Sequence, residues 1–203
     1  MLTRFPDKPL ASSVAVLPSL RDAQWLAEFK YDGWRVWIEV GAAGDGSDWQ
    51  YTTRRDRPCP VSPALRRDLA RQLAAGPVTA LPPAGTIFDA EWMARRAGHG
   101  QGTERVWLFD LLRVGPLGWR LGKGALERFD ALRATAPAGL IVPHTLAGYG
   151  AFFESSKLDP CTEGVVLKRV DSRYIGSARG CCQNPAWLKV KWRDGAGGNK
   201  RIA

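Results

Sequence analysis

The sequence is poor in the residues that most often build metal centres and nucleophilic triads: its 203 residues include four cysteines and two histidines. The cysteines are Cys59, Cys161 and the neighbours Cys181 and Cys182, so no C-x-x-C pair exists, and His99 and His144 stand alone. That spacing offers no zinc-site pattern, and reduced, buried or incidental thiols are the expectation. Neither histidine has triad-like neighbours, which leaves each as a general acid or base candidate only. The chain also lacks any run of about 18 apolar residues, which argues against a membrane-spanning helix. The apolar stretch in "MLTRFPDKPLASSVAVLPSL" is broken by proline where a signal peptide would run on. A cytoplasmic protein without a membrane partner is therefore expected. No internal repeat is found, and the one biased segment is the Gly-rich end, "RDGAGGNKRIA", which reads as a flexible tail.

What is present is enough for a core. Hydrophobic residues make up 45% of the chain and nine are tryptophan, which suits one well-buried domain. Lysine and arginine number 29 against 20 acids, a formal charge of +9, and such a balance suits a polyanionic partner such as nucleic acid or nucleotide. Arg-rich compositions with many Ala and Gly also arise from coding bias, so charge alone does not choose.

Periodicity predicts strands over Trp25–Lys30, Trp34–Val40 and Trp49–Thr53, and a helix over Pro63–Ala75, where Leu65, Leu69 and Leu73 recur. "GTIFDAEWMA" and "ERVWLFDLLRV" read as strands flanking a Gly-rich hairpin, "RRAGHGQG". Helices are expected over Ala125–Ala134 and Ala147–Lys157, with a strand at Leu140–Pro143 between them. Two more strands follow in "EGVVLKRV" and "AWLKVKW". The last alternates strictly, with Leu188, Val190 and Trp192 on one face and Lys189, Lys191 and Arg193 on the other. Many short strands with a few helices predict an α+β domain built on antiparallel sheets.

Five features then stand in order. Lys30 lies at a strand end in "EFKYDGWR", Glu91 ends "FDAE", Phe109 and Asp110 lie in "FDLL", Glu163 and Lys168 bound "EGVVLK", and Lys189 and Lys191 alternate in "WLKVK". Singly, each has an ordinary explanation: "DG" is turn chemistry, an acid at a strand end is a solvated residue, a phenylalanine is core, and alternating lysines protect a strand edge.

Together they resemble the covalent nucleotidyltransferases, and specifically the adenylation domain of ATP-dependent DNA ligases. Lys30-Tyr31-Asp32-Gly33-Trp34-Arg35 matches the family's K-x-D-G-x-R motif, with Glu28 two residues ahead. "FDAE" is similar to its D-G-E element, with Ala90 where glycine is usual. "FDLL", "EGVVLK" and "WLKVK" match as they stand, and "RVDSRYIGSARG" is similar to the polar connection before the last strand. "YTTRRDR" is similar to a Ser-Arg element, with Thr53-Arg54 the better match and Arg55 the alternative.

The resemblance implies a nucleotide-binding cleft between antiparallel sheets flanked by helices, the ATP-grasp-like fold shared with mRNA capping enzymes. It implies ATP and Mg²⁺ (or Mn²⁺) as cofactors and nicked double-stranded DNA as partner. Lys30 would take AMP, assisted by Lys189 and Lys191. Glu163 would hold the metal, and Glu91 would serve the ribose or metal. Phe109 would stack on adenine, Glu28 read its exocyclic amine, and Arg35 and Arg54 hold ribose or phosphate. Lys168 would be a further nucleotide-side cation. The chemistry needs such company, because an amine with an ordinary pKa of about 10.4 is protonated at neutral pH and cannot attack. Burial and neighbouring cations both favour its neutral form.

The expected organisation is a lead-in over 1–27, the adenylation domain over 28–193 and a tail over 194–203, with no OB-fold in this chain and a monomeric state. A separate OB-fold or repair partner would complete the enzyme. RNA ligases, capping guanylyltransferases and a catalytically silent nucleic-acid-binding module are the alternatives.

Overall fold

The structure is a computed structural model and describes residues 7–78, 80–94, 104–176 and 182–192. In chain order its elements are β1 (Lys8–Ser12), β2 (Trp25–Tyr31), β3 (Trp34–Glu39), β4 (Gln50–Thr53), α1 (Pro63–Ala74), β5 (Ile87–Met93), β6 (Arg105–Val114), β7 (Gly118–Trp119), α2 (Ala125–Thr135), β8 (His144–Thr145), α3 (Tyr149–Ser156), β9 (Thr162–Arg169) and β10 (Gln183–Lys191). Short 3-10 turns cover Val14–Ser19 and Ala138–Leu140.

The strands form two five-stranded sheets, ordered β1-β10-β9-β2-β8 and β4-β3-β5-β6-β7. All pairings are antiparallel except that of β1 with β10. Alternation decides which side chains face where. In the second sheet Val36, Ile38, Phe88, Ala90, Val106 and Leu108 point to one side, where Leu65, Leu69 and Leu73 of α1 and Phe129 and Leu132 of α2 cover them. Each such fully buried aliphatic or aromatic side chain is worth about 1.5–3 kcal/mol of burial. In the first sheet Ala27, Val165, Leu167 and Val190 turn the other way and are covered by Tyr149 and Phe153 of α3.

The remaining faces of the two sheets meet through Trp37, Ile87 and Leu112 from one and Trp187 from the other, with Tyr174 from the loop after β9. Polar residues at the alternate positions of both sheets therefore converge on the space beside that cluster.

Helix starts follow local chemistry. Ser62 caps α1 by accepting a hydrogen bond from the Leu65 amide at 3.2 Å, and Pro63 occupies the first turn, where a missing N–H costs nothing. α2 and α3 begin at Gly124 and Gly148 without a side-chain cap.

One sequence expectation needs correction. The segment Leu140–Pro143 is not a strand: a 3-10 turn ends at Leu140, and Ile141 makes a single bridge to Leu108. Pro137 and Pro143 bracket it, and Pro143 has no N–H to give a ladder. The expected lead-in over 1–27 contains β1. This strand pairs in parallel with β10 across a register shift at Pro9/Leu10. The hairpin "RRAGHGQG" and the Gly-rich tail lie outside the described residues. Among the described residues no helix is long and apolar enough to cross a membrane.

Candidate active site

Glycine 164 organises the first cluster. It is paired in register with Lys30 on β2 and Lys191 on β10, so the two lysines flank it across three neighbouring strands. Its φ is +148°, and a Cβ there would come within 2.0 Å of the Val190 carbonyl oxygen, so no larger residue lets β10 approach as closely. The next residue back, Glu163, then sits between the lysines. Its Oε1 pairs with the Lys30 ammonium and its Oε2 accepts from Lys191 Nζ at 2.6 Å. Burial works against a charge on Glu163, but Lys30 and Lys191 outweigh it and hold the carboxyl below its ordinary range. Lys189, two residues before Lys191 on the same face, has its pKa lowered by burial and by the like charges of Lys30 and Lys191. Lys30, Glu163, Lys189 and Lys191 thus form one partly accessible group.

The second cluster is dry. Glu28 lies two residues before Lys30 on the same strand face, and its carboxylate meets Lys168 Nζ at 2.8 and 3.0 Å. Lys168 also donates to the Phe109 carbonyl at 3.1 Å and stands 3.6 Å from Asp110 Oδ2. Its ammonium lies 5.1 Å from the Phe109 ring centre and 5.0 Å from that of Trp187. Asp110 in turn accepts a two-pronged pair from Arg128 of α2, at 2.8 and 3.0 Å. Burial raises the Glu28 carboxyl to about 7, the nearby Lys168 offsetting only part of that cost. Lys168, expected as a nucleotide-side cation, thus stands with Glu28.

A bulge makes this possible. Leu108 pairs with Ala90 and Asp110 with Asp89, which leaves Phe109 as the extra residue on β6. Consecutive residues of a regular strand face opposite ways; the bulge lets the Phe109 carbonyl and the Asp110 carboxylate both serve Lys168.

Arg35 and Glu91 sit opposite each other on β3 and β5. Arg35 is held by Asp89, with Nε–Oδ1 at 2.9 Å and Nη2–Oδ2 at 2.5 Å, and also donates to the Asp7 carbonyl oxygen. Its guanidinium lies 5.3 Å from the Phe109 ring centre. The Tyr174 hydroxyl closes the group by donating to Asp89 Oδ2 at 3.0 Å. Glu91 Oε1 accepts the Gly33 backbone N–H at 2.9 Å, which ties the turn after Lys30 to β5. Gly33 is confined: a Cβ there would lie 2.6 Å from the Trp92 carbonyl oxygen. Burial raises the Glu91 carboxyl to about 7. Arg54 is exposed, one residue past the end of β4.

Sequence reasoning missed three residues here. Arg128 carried no motif signal, and only its place on a helix facing β6 could have drawn attention. Asp89 was visible as the acid of "FDAE" but was not paired with Arg35. Asp7, fully buried, accepts from the backbone amides of Ile175 and Gly176 at 2.7 and 2.6 Å and from Asn184 Nδ2 at 2.8 Å. It thereby fastens β1 to the loop before β10.

Among the described residues no group of three or more His, Cys, Asp or Glu is arranged to hold a metal ion. An ion that takes one or two carboxylates and completes its shell with phosphate and water needs no such group. Glu163, kept ionised at the cluster's open side, fits that requirement.

No protein-family model matches the chain. It is 30% identical over 213 residues to the multifunctional non-homologous end joining protein LigD of Mycolicibacterium smegmatis, covering 94% of this chain and 26% of that protein. The LigD of Mycobacterium tuberculosis is 29% identical over 206 residues, with the same coverage. The chain thus spans about a quarter of the length of the curated relatives it matches. Among solved structures, mycobacterial DNA ligase D complexed with ATP and MES superposes with a TM-score of 0.68 at 25% identity, covering 94% of this chain and 61% of that one. The chain is a homologue of the ligase domain of the LigD proteins and has the nucleotidyltransferase fold of ATP-dependent DNA ligases.

Proposed function

We propose that this chain is the adenylyl-transferring core of an ATP-dependent DNA ligase, with Lys30 as the nucleophile. The observation that carries the reading is the meeting of Lys30, Glu163 and Lys191 around Gly164, with Lys189 beside them. In the first step the Lys30 Nζ lone pair forms a bond to the α-phosphorus of ATP as the bond to pyrophosphate breaks. AMP then passes from Lys30 to the 5′-phosphate of a nick, and attack by the 3′-hydroxyl joins the strands and releases AMP.

Each residue's part follows from its surroundings. The amine must lose its proton before it attacks, and two further ammonium groups, those of Lys189 and Lys191, stand beside it. The same two ammonium groups oppose the charge that gathers on the phosphate oxygens. Glu163 would hold Mg²⁺, which when bound draws charge from those oxygens. Phe109 offers a ring for the adenine, backed by Lys168, and Glu28 offers an acceptor to an exocyclic amine. Glu91 steadies the Lys30 turn through Gly33, and Arg35, held by Asp89, faces the ribose and phosphate region. Arg54, exposed after β4, suits the strand backbone, for which the +9 charge is a general attractor. An OB-fold, on the same polypeptide or on a partner, would orient the pyrophosphate.

Incubation with Mg²⁺ and α-labelled ATP tests the reading. Label should enter the protein, be absent from Lys30→Ala, and chase into nicked DNA in preference to broken RNA. No label with either a supplied OB-fold or pre-formed nick would reject it, and GTP labelling in place of ATP would move the chain to the capping class.

A further inference from the structure

β6 carries a second row of groups that this reaction scheme leaves unused. Ahead of Phe109, at two-residue spacing on the same strand face, stand Trp107 and Arg105. Trp107 pairs across the sheet with Glu91, so it belongs to the side of β5 and β6 that meets the lysine turn. Its indole stacks on Tyr31, the residue after Lys30, with ring centroids 4.8 Å apart and planes 10° from parallel. The Arg105 guanidinium carbon lies 4.0 Å from the Trp107 ring centre. Two groups so close to one ring cannot share a face, so Tyr31, Trp107 and Arg105 form a column, buried at the tyrosine and exposed at the arginine.

The column has a direction. Glu28, Lys168 and Phe109 mark one end of the cleft, and β2 runs from Glu28 through Lys30 to Tyr31. Going back along β6 from Phe109 to Arg105 covers about 13 Å at roughly 3.3 Å per residue and ends past Lys30, at the end away from the Glu28–Lys168 floor.

We propose that Arg105 is a phosphate-binding residue for the groups that lie beyond the α-phosphate, preset by the Tyr31–Trp107 stack. The inference rests on the adenylyl-transfer reading for what occupies the cleft. A guanidinium is the fitting group, because it presents several N–H donors in a plane to phosphate oxygens and keeps its charge at every relevant pH. An exposed arginine ordinarily loses rotamer freedom when it binds; stacking on an indole removes part of that cost beforehand and leaves the positive charge in place. Two sources supply such phosphates: the pyrophosphate portion of ATP, and the backbone of the strand to be joined.

The test uses the full chain with Arg105→Ala, Arg105→Lys and Trp107→Phe, checked first for unchanged thermal unfolding. Self-adenylation is followed against ATP concentration. Separately, binding of a nicked duplex is followed against salt, which needs no catalysis. If the phosphates are those of ATP, half-saturating ATP rises about threefold to tenfold in Arg105→Ala, a loss on the order of 1 kcal/mol, with the saturated rate unchanged. If they are those of the strand, duplex binding weakens by a similar factor and the slope of log affinity on log salt falls by about one. Arg105→Lys should recover the salt slope but not the full affinity, because the ammonium cannot stack as a plane. Either pattern supports the assignment. Unchanged ATP dependence together with an unchanged duplex affinity and slope in Arg105→Ala overturns it. A wild-type chain that never adenylates yet loses salt slope in Arg105→Ala counts against the reaction scheme and leaves Arg105 a strand contact.

Discussion

Two lysine–glutamate pairs lie two residues apart on β2 and live in different media. Lys30–Glu163 is partly open, with side chains 23% and 14% exposed, whereas Lys168–Glu28 is dry at 2% and 3%. The open pair is surrounded by further lysines, so Glu163 stays ionised and positive charge is in excess there. The dry pair is continued by Asp110 and Arg128, so its charges are nearly balanced and each is bonded on several sides. Coulomb attraction in the second pair has to offset a larger desolvation cost than in the first, whose side chains are more exposed. The first pair can therefore open to admit phosphate, and the second is suited to a floor that keeps its shape.

The comparison can be broken from the buried side first. Arg128→Ala strips the buried Asp110 of its two-pronged partner and leaves it Lys168 at 3.6 Å, which is shared with Glu28, and we expect a loss of about 3–5 kcal/mol, read as a shift of the urea midpoint or as failure to fold. Lys189→Ala or Lys191→Ala, on the open side, should leave that midpoint nearly unchanged. Each should lower the rate of adenylate formation by about 10²–10³-fold, the effect of removing one positioned donor from a developing oxyanion, measured by single-turnover labelling. Equal stability losses from both sides would erase the distinction.

The pH dependence of stability has opposite signs in the two pairs. The Glu28 carboxyl is raised from 4.5 to about 7 in the folded chain. Between those values the folded state keeps a proton that the unfolded state has released, so stability falls as pH rises through that window and is level above it. The full shift corresponds to something on the order of 3 kcal/mol. Glu91, raised to about 7 as well, adds to the same slope. Glu163 is held below its ordinary value, so its contribution is present above about pH 4.5 and is lost as pH falls through the folded value. Glu28→Gln should therefore flatten the decline in unfolding free energy between pH 5 and 7, and Glu163→Gln should leave it. At the small end, Lys157→Ala removes an exposed pair with Glu154. It should change the midpoint by no more than about 0.5 kcal/mol.

The open half was the more legible in the sequence. Its lysines and Glu163 lie in short local patterns, "FKYDG", "EGVV" and "WLKVK", and strict alternation in β10 placed Lys189 and Lys191 on one face. The dry half depends on pairings that alternation does not carry. The Phe109 bulge shifts register within one strand, and Arg128 reaches Asp110 from a helix 18 residues on. β1 was missed because Pro9 interrupts its pattern and its partner, β10, lies at the far end of the chain. The strand expected at Leu140–Pro143 failed for the converse reason: its residues are apolar enough, but bracketing prolines leave it one bridge.

The central claim is that the open pair carries the chemistry through Lys30. Intact-mass measurement followed by peptide mapping, after incubation with ATP and Mg²⁺, tests it most directly. The account predicts one adenylyl group per chain, located on Lys30, absent from Lys30→Ala and retained in Lys157→Ala. An adenylyl group on any other residue, or equal labelling of Lys30→Ala, would contradict it.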